Sequence, residues 1–371
     1  MNHVIASVAA LSATVREFQI RRRDGAPLPD WQPGSHIVLR FLAAGGSAFE
    51  KHYSLIGVPG QADSYRIAVQ REEQGKGGSR CLHDEFGPGS EVEVSGPFNS
   101  FPLQPAGPAS AAGAAGAAGS AGAAGAAGSA GAAGAAGAAG SAGPAGSSGA
   151  ARPRVLLVAG GIGITPLVSM AHALAAQQRP FELHYLAHSA GRLVLMEELR
   201  VIGQAAKLAA RQAPALASIV THLSQDSGRA DLTALLGPYS AGDSFYACGP
   251  AALLQALAAA GNRLGWPAAA MHFESFGPRA QQEDAPLTVE LALSGVTVEV
   301  PPGTPILEAL IAADVFVSYE CKRGECGSCY TPVLEGEPLH RDVCLTPAMR
   351  STGMCTCVSW AAAPGRLVLE L

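Results

Sequence analysis

Apolar and polar positions alternate with period two in the first part of the chain, in SHIVLRF after Pro33-Gly34, in SYRIAVQ and in SEVEVSG. Successive side chains of a strand face opposite ways, so each of these segments has one side to bury. Short segments of this kind, parted by turn residues, predict a small antiparallel β-barrel over 1–104. Over 152–276 the pattern changes. The apolar strand-length runs RVLLVA, FELHYLA and DSFYA are followed by helical stretches from Pro166, around 194–201 and from Ala251. Such alternation predicts a parallel, doubly wound α/β sheet. After a linker at 277–286, residues 287–371 open with the hairpin-like LTVELALSGVTVEV and the capped-helix pattern PPGTPILEALIAADV, ahead of a cysteine-rich loop. They read as a compact α+β unit, which makes the chain multidomain.

Residues 105–151 interrupt this order. Glycine recurs at every third position between 113 and 149, with alanine and serine filling most of the rest. Period three is the collagen signature, but Pro144 is the single proline of that run, far too few for a triple helix. With almost nothing apolar to bury, a flexible tether is expected, spanning about 35 Å as a random coil. Its alanines also swell the apolar fraction of 48%, so that figure overstates the core.

The net charge of −5 resides in the last unit, where 287–371 holds 10 acidic and 5 basic residues. A neutral body with an acidic C-terminal unit fits a basic docking partner and gives no sign of nucleic-acid binding. The opening MNHVIASVAALSATVREF has no basic stretch ahead of its apolar residues, and no uninterrupted apolar run approaches membrane-spanning length. A cytoplasmic protein is expected.

Six of the 8 cysteines fall in the last 51 residues. Without a secretory leader, such clustering favours metal ligation over disulfides. Cys321, Cys326 and Cys329 are spaced C-x₄-C-x₂-C, and Cys357 follows after 27 intervening residues. Three thiolates on one tight loop and a distant fourth suit a [2Fe–2S] cluster, with Gly324 and Gly327 letting backbone amides approach it. Structural zinc is the competing reading. Cys344 and Cys355 lie close enough in sequence to compete as fourth ligand; Cys357 is favoured by its spacing.

This C-terminal block resembles a plant-type ferredoxin, a β-grasp fold. The whole chain without its Ala/Gly tract resembles the phthalate dioxygenase reductase and vanillate O-demethylase reductase family. The resemblance implies an FMN barrel, an NAD domain and a ferredoxin in that order. Lys51-His52-Tyr53-Ser54 resembles the family's R-x-Y-S flavin signature, with Lys51 in place of the arginine. An ammonium still neutralises phosphate but lacks the guanidinium's two-pronged fork. Arg71, Lys76, Gly77, Gly78 and Ser79 resemble the clamp for the FMN phosphate, where consecutive glycines let amides converge on an anion. No adenosine-binding segment is evident in the barrel, which favours FMN over FAD.

Gly160, Gly161, Gly163, Thr165 and Pro166 resemble the GGIGITP turn of the family's NAD domains. Thr165 is expected to cap the next helix and Pro166 to open it. Cys248, Gly249 and Pro250 match its second marker, with Cys248 implied to lie near the nicotinamide. Phe276, at the end of HFESF, is implied to approach the flavin. His188-Ser189 offers no arginine pair for a 2′-phosphate, so NADH is expected. Cys248 and Phe276 are thus the catalytic candidates. The implied activity is hydride transfer from NADH to FMN, then single-electron transfer to the cluster and on to a terminal oxygenase, a Rieske-type enzyme acting on an aromatic substrate. A monomer is expected. The alternatives are a reductase for another acceptor, such as a haem monooxygenase, and a non-enzymatic metal-binding adaptor.

Overall fold

The computed structural model describes residues 2–61, 63–105, 153–209, 217–276, 280, 283–320 and 322–371. The Ala/Gly tract, half of the 277–286 linker and Cys321 lie outside the described residues. Three main sheets, rather than one, carry the chain.

The first contains β1 (His3–Ala10), β2 (Val15–Arg22), β3 (His36–Leu42), β4 (Ala48–Ser54), β5 (Tyr65–Gln70) and β6 (Glu91–Phe98). Its order is β4-β3-β6-β1-β2-β5, with every pairing antiparallel. A single bridge, Leu55 to Ile67, joins the two ends and closes the barrel. Alternation buries Ile37, Leu39 and Phe41 from β3 with Ile67 and Val69 from β5. A short helix, α1 (Gly78–Glu85), follows the GKGG turn.

The second sheet is wholly parallel, in the order β11-β10-β7-β8-β9. It comprises β7 (Val155–Gly160), β8 (Phe181–Ala187), β9 (Ala217–Leu223), β10 (Ser244–Gly249) and β11 (Met271–Ser275). All six residues of β7 are buried, as a strand covered on both faces must be. Helices α2 (Ile164–Ala176) and α3 (Met196–Ala209) cover one face; α5 (Leu232–Leu236) and α6 (Ala251–Arg263) cover the other, and the short α4 (Ser224–Ser227) follows β9. The strand order reverses between β7 and β10, so a ligand crevice is expected at their carboxyl ends.

The third sheet has the order β13-β12-β18-β14-β16. It is built from β12 (Leu287–Leu291), β13 (Thr297–Val300), β14 (Tyr330–Glu335), β16 (Gly353–Cys355) and β18 (Gly365–Leu369). Helix α7 (Ile306–Ala312) packs Ile306, Leu307 and Leu310 onto it. A two-stranded ribbon, β15 (Pro338–Leu339) with β17 (Trp360–Ala361), and the short α8 (Pro347–Arg350) complete the unit.

The units share contacts. Val15, Ile56, Ala68 and Phe101 of the barrel lie in one buried cluster with Leu167 and Met170 of α2. Arg66 of β5 bridges Glu17 and Glu198 of α3, and Glu198 also meets His172 of α2 at 2.8 Å. Two local expectations are corrected. A 3₁₀ turn at Gly161–Gly163 starts the helix early, so Thr165 lies inside α2 and donates to the Ile162 carbonyl instead of capping. The helix α7 follows Pro305 with no side-chain cap.

Candidate functional site

Strand β4 and the turn before α1 meet at Gly78. A Cβ there would fall 2.6 Å from Lys51 Cε, so the glycine lets the lysine stem lie against the turn in this position. Gly77, at φ +90, sits where α1 begins and turns the chain through a conformation open to glycine. Burial lowers the Lys51 pKa, and the nearby Lys76 lowers it further. Two cations crowded at a helix start, one half-desolvated, form a setting that an anion would relieve. The residues therefore fit a flavin phosphate. Ser79 accepts from the Glu72 amide and closes the turn. Arg71 is engaged elsewhere, with Glu73 at 2.6 Å and Asp84 at 2.5 Å.

Further along β4, the exposed His52 stacks on His36 of β3 at 5.4 Å. His36 is pushed down to about 4 by burial, then by the charges of Arg323 and His52, so its ring is neutral at pH 7. Tyr53 has its phenol pushed up by burial. Ser54 is buried and donates to Glu274 Oε2 at 3.4 Å, across from the barrel to β11.

At the switch point the glycines have distinct duties. A Cβ on Gly163 would lie 2.2 Å from the Cys248 carbonyl oxygen, and one on Gly249 3.0 Å from Gly160 Cα. Gly160, Gly163 and Gly249 thus let two strand ends meet. Gly161 has φ +55 and open space around it, so it is the glycine over which a pyrophosphate can approach. Pro166 is buried within α2, and Pro250 precedes α6. Cys248 is completely buried and lies opposite Glu274 in the β10–β11 ladder. Burial, reinforced by Glu274 and Glu325, raises its pKa well above the ordinary range and keeps it a neutral thiol. Phe276, just past β11, is 43% exposed.

The cysteine loop folds against the third sheet. Cys329 and Cys357 are buried and Cys326 is exposed. Hydrogen bonds from Cys355 first and Cys357 next hold the Cys329 thiol well below its ordinary range. Cys344 and Cys355 lie 3.7 Å apart. Cys81, Cys248, Cys329, Cys344 and Cys355 are free thiols. Gly324, at φ +67, passes so close to Val358 that a Cβ would meet it at 2.6 Å. Buried thiols gathered under a glycine-hinged loop fit an iron–sulfur cluster. No group of three metal-binding side chains is assembled among the described residues, which exclude Cys321.

Three residues that no motif singled out border this site. Glu274, its side chain 1% exposed, sits between Ser54, Cys248 and the Arg323 guanidinium, which lies 3.5 Å away. Arg323 and Glu325 come from the cysteine loop itself. Glu274 could have been suspected from sequence, as a carboxylate inside the strand HFES.

Residues 289–362 match the family model for the 2Fe-2S iron-sulfur cluster binding domain. The chain is 30% identical to phthalate dioxygenase reductase of Burkholderia cepacia, over 99% of this chain and 96% of that protein. It is 32% identical to a toluene-4-sulfonate monooxygenase system reductase subunit of Comamonas testosteroni, over 99% and 98%. The chain belongs to the phthalate dioxygenase reductase family. This reductase superposes on the solved structure of phthalate dioxygenase reductase with a TM-score of 0.60 and 29% identity, covering 100% of this chain and 98% of that one. It also matches full-length CYP116B46 from Tepidiphilus thermophilus, with a TM-score of 0.58 and 33% identity, but spans 41% of that longer chain. The reductase is an oxidoreductase, the electron-supplying component of an oxygenase system, with a C-terminal [2Fe–2S] unit. No helix among its described residues is long and apolar enough to cross a membrane.

Proposed function

We propose that the reductase draws electrons from NADH at a flavin mononucleotide and hands them through its [2Fe–2S] unit to a terminal oxygenase. The observation that carries this reading is the junction at Glu274, where the flavin-signature strand, the Cys-Gly-Pro strand and the cysteine loop converge. When bound, a flavin supplies the exchange between two-electron hydride chemistry and the single electrons an iron–sulfur cluster accepts. Lys51, Lys76 and the amides of Gly77, Gly78 and Ser79 bind the phosphate. Tyr53 packs at the ring, and Ser54, tied to Glu274, orients it. Gly160, Gly161, Gly163, Gly249 and Pro250 shape the nucleotide crevice, with Cys248 behind it and Phe276 at its mouth. Cys321, Cys326, Cys329 and Cys357 hold the iron. The units run 1–104, 152–276 and 287–371, and the protein acts in the cytoplasm as a monomer.

The favoured partner is a Rieske-type oxygenase acting on an aromatic acid or ether, after the phthalate and toluene-sulfonate relatives. A haem-containing partner is the second reading, supported by 31% identity to a heme-dependent oxidative N-demethylase beta subunit of Ectopseudomonas mendocina. The purified reductase, given NADH, is expected to support turnover by a Rieske oxygenase and not by a haem monooxygenase. Support of only the haem enzyme would reverse the choice. A colourless, zinc-bearing protein that leaves NADH unoxidised would end the reductase reading.

A further inference from the structure

Between Cys321 and Cys326 lie Lys322, Arg323, Gly324 and Glu325. Gly324 is pressed onto its own unit: its carbonyl accepts from the Val343 amide at 3.0 Å, and a Cβ would lie 3.1 Å from Asp342 Cα. With the glycine pinned inward, the side chains on either side of it leave the unit and reach the end of β11. Glu325 Oε1 accepts the Ser275 amide at 2.6 Å. Arg323 lies 3.1 Å from Glu325 Oε2 and 3.5 Å from Glu274 Oε1, and its other arm meets Ser100 Oγ beyond β6. Both side chains are largely shielded, at 16% and 10% exposure. Charged groups placed this way hold geometry because the Glu325–amide hydrogen bond is directional and the shielded ion pairs of Arg323 are poorly screened. None of these contacts belongs to the unit's own core, which Leu287, Val289, Leu310, Met354 and Leu367 form. Their work lies across the boundary.

We propose that Arg323 and Glu325 form an electrostatic latch that seats the iron–sulfur loop on the strand end carrying Glu274 and Ser275. They are positioning residues for the passage of electrons out of the nicotinamide–flavin crevice. This inference rests on the reductase reading above and adds the part that fixes one unit on another. Each NADH supplies two electrons, and each leaves singly through the loop, so a loosened loop slows acceptors served by the cluster and spares those served by the flavin.

The test uses the full-length holoprotein with Glu325→Ala, flavin and iron contents being matched to the parent. Hydrogen exchange of the Ser275 amide is expected to quicken about ten-fold on loss of its charged acceptor. NADH-driven cytochrome c reduction falls about ten-fold, while ferricyanide reduction keeps the parent rate. Glu325→Gln, which still offers an oxygen to the amide, restores most of both losses. Unchanged Ser275 exchange and cytochrome c reduction in Glu325→Ala would overturn the latch. So would a parallel fall in both acceptor assays, which places the defect at hydride transfer. If the parent itself oxidises no NADH, the reductase reading fails, while the Ser275 exchange comparison still decides the latch.

Discussion

A carboxylate with 1% of its side chain in contact with solvent costs several kcal/mol unless its charge is answered. At Glu274 the answer comes from 220 residues away in Ser54 and 49 residues away in Arg323. Neither distance leaves a trace in the sequence, which explains why local motifs exposed Ser54 and Cys248 but not the group between them. Motifs are local by construction: KHYS and GKGG could be read because one strand and one turn hold them. The C-x₄-C-x₂-C spacing is local in the same sense, while the choice of Cys357 over Cys355 and Cys344 as fourth ligand rests on spacing alone. Cys357→Ser is expected to abolish the visible absorption and iron content of the [2Fe–2S] unit. Cys355→Ser and Cys344→Ser should keep both; an iron-free Cys355→Ser protein beside a loaded Cys357→Ser protein would reassign the ligand. Under the proposed flavin site, Lys51→Ala would remove one of the two cations set to meet the phosphate. It should weaken FMN binding by about 1.5–3 kcal/mol, or roughly ten- to a hundred-fold, by titration. Lys51→Arg should bind at least as tightly as the parent, and equal affinity of all three would detach Lys51 from the site.

Elements were easier to foresee than their ends. Period-two alternation located the barrel strands, and the apolar run of β7 located the centre of the parallel sheet. The order β4-β3-β6-β1-β2-β5 was beyond reach, because strands of similar pattern are interchangeable until their connections are known. The misplaced cap at Thr165 has a definite cause. Gly161, at φ +55, already bends the chain into a 3₁₀ turn, so the helix is under way before the threonine. The same turn makes a prediction about packing. Gly163→Ala would drive a Cβ to 2.2 Å from the Cys248 carbonyl, a backbone atom that cannot swing aside. Overpacking of this kind should cost about 1–3 kcal/mol, seen as a lower thermal midpoint, and should weaken NADH binding as well. An unaffected midpoint would show that β7 and β10 are less tightly joined at this end.

Between whole units, burial alone would raise the Glu198 pKa, but the His172 hydrogen bond and Arg66 charge outweigh it and leave it below 4.5. A lowered carboxylate pKa gives stability that is complete above the unfolded value and fades as pH falls through the folded one. The thermal midpoint of the parent should therefore exceed that of Glu198→Gln at neutral pH. The gap should close on acidification below about 4.5. A gap that does not narrow at all as the pH falls would mean that Glu198 acts by shape and not by charge. The barrel–sheet contact that this group secures was invisible in sequence, since its four members come from β2, β5, α2 and α3. The Ala/Gly tract lies outside the described residues, and its reading as a tether rests on composition alone. Deleting residues 111–150 should leave NADH-dependent cytochrome c reduction within about two-fold of the parent, because a tether adds reach without contact. A collapse of turnover would give the tract a direct part in joining the units.

The central claim is that one polypeptide brings nicotinamide, flavin and iron–sulfur sites together at the Glu274 junction. Anaerobic addition of NADH to the purified protein, followed by low-temperature EPR, tests it directly. The expected result is a rhombic signal from the reduced [2Fe–2S] cluster, appearing as the flavin absorbance bleaches. A bleached flavin with no iron–sulfur signal, or no bleaching at all, would contradict the account.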